Sequence, residues 1–141
     1  MNRTWRPVDI LLCGGAAIVG VGAFLPWVKV SAGIFSVTKD GIEGDGVITL
    51  ITALLVLLAV LTFIYANTPE RTMLIGTTIG GIIITAVGVY DWIELEDKRA
   101  ELEESSELLT FDVSVGAGLV LTVIGGVTLA LVAASRLIAK R

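Results

Sequence analysis

The chain has 141 residues, 55% hydrophobic and only 17% charged, with a mean hydropathy of +0.89. An ordinary soluble domain is about 25% charged, so this composition belongs in lipid rather than in water. No His and a single Cys exclude an internal disulfide framework, a Cys/His zinc centre and a Ser-His-Asp or Cys-His nucleophile system.

A helix crosses a bilayer core with about 20 apolar residues. Four stretches meet that length, so the expected fold is a membrane all-α four-helix bundle in one domain, with spans at about 9–28, 46–67, 72–91 and 114–135. The first stretch follows Arg3 and Arg6, and its Val21-Gly22-Ala23 is similar to a signal-peptide cleavage site. Its apolar part is longer than a usual signal core, and Pro26-Trp27 reads as an interface anchor, so a retained helix is expected. Leu12 before Cys13 is too large for a lipoprotein cleavage motif.

The loop 29–45 carries β-branched residues alternating with polar ones on both sides of Ala32-Gly33, which predicts a short hairpin. Asp40-Gly41 and Glu43-Gly44-Asp45-Gly46 are turn chemistry leading into the second span. Their glycines supply no side-chain oxygens, so an EF-hand calcium loop does not fit. The second span is Leu-rich and has no Gly from Val47 to Ala66, which predicts more lipid contact.

In the third span, Gly76 and Gly80 form a GxxxG whose row continues through Ile84 to Gly88. Small residues let membrane helices approach closely. Gly76, Gly80, Gly88 and, in the fourth span, Gly118 are the candidate helix-packing residues. Packing within one bundle is the first expectation, and a homo-oligomer contact the alternative. Ala16 and Gly20 offer the same spacing in the first span, as do Thr122 and Gly125-Gly126 in the fourth.

The loop 92–113 begins as a helix extension, with Glu94–Lys98 and Arg99–Glu103 at i,i+4 spacing. Phe111, Val113 and Val115 then alternate with polar residues as a third strand. Three strands and a helix predict a small extracellular β-sheet cap. Its candidate core is Trp27, Phe35, Val37, Trp92, Phe111 and Val113.

Charge orients the chain. The two ends and the loop between the second and third spans carry six Lys/Arg and two acids, net +4. The other two loops carry four Lys/Arg and twelve acids, net −8. The positive-inside rule therefore predicts a cell-membrane protein with both termini cytoplasmic. Trp5 and Tyr65 fall at the inner boundary, and Trp27, Tyr90 and Trp92 at the outer one.

No ionisable residue lies near a span centre, where ion paths and proton relays need one. Asp9 reads as a helix N-terminal carboxylate, and Cys13 as a small packing residue. Catalytic groups, metal ligands and cofactor motifs are absent from the sequence.

Leu25-Pro26-Trp27-Val28-Lys29-Val30-Ser31-Ala32, closing a first span and opening an outer hairpin, resembles the start of the first extracellular segment of claudins. The claudin Gly-Leu-Trp and its two cysteines have no counterpart here, where the loop ends Gly44-Asp45-Gly46. The resemblance implies four helices, both ends inside, and a sheet drawn from both outer loops. The chain is also similar to small prokaryotic four-span membrane proteins in which Val-Gly-x-Gly opens the fourth helix, here Val115-Gly116-Ala117-Gly118. The acid-rich outer loops suit a high-salt medium, which points to a haloarchaeal relative.

The expected function is a non-enzymatic interaction or scaffold protein in membrane lipid. Its cap would meet a protein partner, the envelope or a second copy. Nucleic acid is excluded as a partner because no sizeable basic patch exists. The alternative is a channel or transporter component, with Thr49, Thr52, Thr77, Thr78, Thr85 and Thr122 lining a polar path.

Overall fold

The computed structural model describes residues 5–32, 34–66, 69–105 and 111–139. The elements run α1 (Pro7–Ala23), β1 (Pro26–Ala32), β2 (Phe35–Asp40), α2 (Gly46–Ala66), α3 (Glu70–Ser105), β3 (Phe111–Val115) and α4 (Ala117–Ala139). A 3-10 turn, Gly41–Glu43, joins β2 to α2. Three helices are long and apolar enough to cross a membrane: α2, α3 through Glu101, and α4. The first, α1, is a shorter apolar helix of 17 residues.

The first span was expected to reach residue 28, but α1 stops at Ala23. The amides of Phe24 and Leu25 reach back to the carbonyls of Val21 and Gly22, at 3.1 and 3.2 Å, in a tight last turn. Pro26 then has no N–H to continue the ladder, and Pro26 to Ala32 becomes a strand. Hydropathy alone reads an apolar strand and an apolar helix alike. The fourth helix likewise begins at Ala117 rather than 114, because β3 runs to Val115.

The helices pack as a closed ring, α1 on α2, α2 on α3, α3 on α4 and α4 on α1. Leu12, Val19, Val60, Phe63, Ile84 and Leu129 fill its centre. The outward faces are apolar as well, with Ile18, Leu55, Ile82 and Leu131 all exposed. A bundle that is apolar inside and out matches a lipid surround.

α3 has 36 residues and spans about 54 Å at 1.5 Å per residue. Its far end stands beside the three-stranded antiparallel sheet, ordered β2-β1-β3. β1 is central, so the two long loops share one sheet. Val30 lies opposite both Val37 and Val113, and Val28 opposite Lys39 and Val115. Partners across a ladder share a face. One face is therefore valine-rich, and the other carries Lys29, Ser31, Ser36, Thr38, Asp112 and Ser114. Gly33, Leu109 and Thr110, expected in the hairpin turn and third strand, lie outside the described residues.

Candidate functional site

The junction of bundle and sheet is built around Trp27. The β1–β2 register slips between Pro26 and Val28, leaving Trp27 as the extra residue of a bulge. A bulge re-aims a side chain, and Trp27 turns into the core beside Leu95, Val113 and Leu119. Its indole Nε1 donates to the Gly22 carbonyl at 2.9 Å. Its own carbonyl accepts from Gly116 N–H at 2.7 Å. The expected interface anchor is thus a buried clamp joining α1, β1 and the start of α4. Tyr90 and Tyr65 are exposed, as interface anchors are.

Close backbone approach at this junction requires glycine. A Cβ on Gly116 would overlap the Pro26 carbonyl, and one on Gly118 would sit 2.6 Å from the carbonyls of Gly22 and Leu25. The Pro-Trp and Val-Gly-x-Gly motifs therefore meet at one point.

The remaining candidate packing glycines divide. Gly80 faces Val56 of α2, and Gly88 faces Val123 of α4. Gly76 meets nothing within 4 Å and is exposed, so it does not belong to the packing face. In α1, Gly20 is likewise free, while Gly22 and Gly15 make the contacts to α4. Gly81, not Gly80, makes the closest α3–α4 approach, 2.5 Å from a built Cβ to Ala130 N. Spacing identified a glycine-rich helix, but the inward face depends on where α4 lies.

The expected cap core is also corrected. Trp27 and Val113 are buried, with Leu95 between them. Phe35 and Val37 are 73% and 69% exposed. Both lie in register with the valine-rich face, yet β2 is the edge strand farthest from α3, and no described element covers them. Trp92 and Leu95 were expected to cover the sheet together from one helical face; Leu95 is buried against Trp27 and Val113, whereas Trp92 is 36% exposed. Phe111 pairs with Ala32 through its backbone, and its side chain lies outside the described residues.

A cavity of about 430 Å³ opens between the sheet, the Gly41–Asp45 turn and α3. Trp27, Val28, Val30, Leu95 and Val113 supply its apolar lining. Asp40, Asp45, Asp91 and Glu94 line it with carboxylates, and Lys39 and Lys98 with ammonium groups. Asp91 lines the cavity together with Asp45 and Lys39. Asp91 Oδ2 is buried and accepts no hydrogen bond from the described protein. Glu94 is engaged by Lys98 one helical turn away.

At the opposite end of the bundle, Asp9 is fully buried. It accepts from the Arg6 backbone N–H at 3.1 Å, and its other oxygen from Arg6 Nη2 at 3.2 Å. The same guanidinium reaches Glu70 at 3.0 Å and lies 5.4 Å from the Phe63 ring centre. These carboxylates hold Arg6 above its ordinary value, Asp9 most strongly. This cluster ties the start of α1 to the end of α2 and the start of α3. It supports Asp9 as a first-turn carboxylate.

Thr49, Thr52, Thr78, Thr85 and Thr122 all donate to carbonyls of their own helices at 2.7–2.9 Å. Thr77 points its hydroxyl at Met73 Sδ, 3.7 Å away. Their hydroxyl protons are engaged within their own helices. Among the described residues no group of three His, Cys, Asp or Glu is placed to hold a metal ion.

No family model, curated protein or solved structure matches the chain.

Proposed function

We propose that the chain is a non-enzymatic, multi-pass interaction protein of the cell membrane. Both termini lie in the cytoplasm, and the sheet stands outside. There its open half-face contacts a protein partner, the envelope or a second copy. Three long apolar helices and an apolar outer belt support the membrane placement, and the distribution of Lys and Arg supports the orientation. The claudin resemblance implies the same plan, a sheet drawn from both outer loops above four helices.

One observation carries the contact reading. The valine-rich face is a packed core at Val113 and open at Phe35 and Val37. A strand that exposes large apolar groups at its edge is a surface for association. A photo-crosslinking residue placed at Val37 tests this in intact cells. A discrete adduct is expected from position 37, and none from position 38 on the polar face. Equal yields from both positions, or none from 37, contradict the reading.

A further inference from the structure

We propose that the cavity between the sheet and the outer end of α3 binds a protonated amine carried on an apolar chain. Its volume, about 430 Å³, falls within the roughly 300–1,000 Å³ of small-molecule sites. Three separate parts of the chain enclose it: the sheet, the Gly41–Asp45 turn and α3.

The lining asks for two kinds of chemistry. Val28, Val30, Leu95 and Val113 offer an apolar floor. A hydrocarbon chain laid along that floor removes apolar surface from water on both partners.

The polar lining lacks positive charge. Four carboxylates are set against two lysines, a net −2. Lys98 is already taken up by Glu94, which leaves Asp40, Asp45 and Asp91 with Lys39. Asp91 Oδ2 is buried with no donor among the described residues. A buried carboxylate oxygen without a donor carries the full cost of its desolvation. An ammonium group supplies both the missing N–H and the missing charge. An anion meets repulsion here, and a neutral alcohol leaves the charge uncompensated. Among the described residues no three acids are placed to hold a bare metal ion.

The amine has two sources, a free organic cation or the headgroup of an aminophospholipid. Asp91 follows directly on the end of the third apolar stretch, which is headgroup level in the membrane reading. This inference concerns the α3 side of the sheet. Its failure leaves the contact reading at Phe35 and Val37 standing.

The test uses the full chain in phosphatidylcholine nanodiscs with hexylammonium as probe, and hexanol and hexanoate as controls. Calorimetry is expected to show saturable hexylammonium binding, and at least tenfold weaker binding of either control. Asp91→Asn should weaken hexylammonium binding at least tenfold. Asp45→Asn, at an exposed turn position, should weaken it less and guards against a folding artefact. Displacement of hexylammonium by phosphatidylethanolamine, but not by phosphatidylglycerol, assigns the amine to a lipid headgroup. Binding unaffected by either lipid assigns it to a free amine. Hexanol binding as tightly as hexylammonium overturns the proposal, as does unchanged affinity in a folded Asp91→Asn variant.

Discussion

Between the helices, backbone meets backbone at Gly22, Gly81 and Gly118, and no room remains for a methyl group. Across the sheet, one apolar face is sealed at Val113 and open at Phe35 two strands away. The cap carries more apolar surface than the described residues cover. Close packing limits what a bundle can accept, so a contact surface is best sought in the cap.

The largest effect is expected where the bundle is tightest. Gly81→Leu should cost about 3 kcal/mol or more, because the atoms it meets are α4 backbone and cannot swing aside. Gly81→Ala should already cost on the order of 1–3 kcal/mol. Gly80→Ala should be milder, since it meets the Val56 side chain. Gly76→Leu should stay within about 0.5 kcal/mol, as a surface change does. Unfolding in detergent measures all four. Equal sensitivity at positions 76 and 81 would break the contrast between buried and lipid-facing glycines.

The cap's own asymmetry comes next. Val113→Ser should destabilise by about 2 kcal/mol through lost packing and a buried hydroxyl. Val37→Ser, two strands away on the same face, should move stability by about 0.5 kcal/mol or less. A similar loss at both positions would mean that the chain itself covers β2, and would remove the basis for an open contact surface.

How much of this was legible beforehand depends on the kind of signal. Apolar length located α2 at 46–66 almost as expected, and the charged continuation of α3 was readable from its i,i+4 pairs. Alternation on both sides of Ala32-Gly33 and at Phe111, Val113 and Val115 indicated the three strands. What alternation leaves open is strand order. Phe35 and Val37 were assigned to the core because they lie on the right face, yet β2 falls on the far edge. The bulge at Trp27 left no periodic trace, so an indole clamp read as a lipid anchor. The cavity was illegible for a related reason. Lys39 and Asp45 are distant in sequence from Asp91 and meet it only when the sheet folds against α3.

At the opposite end of the bundle, Arg6→Met should cost about 1–2 kcal/mol. It leaves the buried Asp9 without its cation, and the partial exposure of Arg6 limits the loss. The double variant Arg6→Met, Asp9→Leu should recover part of it, because the uncompensated charge is then gone. No recovery would show that the salt bridge matters for position rather than charge balance.

Everything said of the cap rests on β1 joining the two loops. Hydrogen exchange of the full chain in nanodiscs tests that directly. Amides in 27–32 and 111–115 should exchange slowly and together, and Val113→Asp should release both at once. Fast exchange through β1 and β2 with β3 still protected would contradict the shared sheet, and with it the half-covered face.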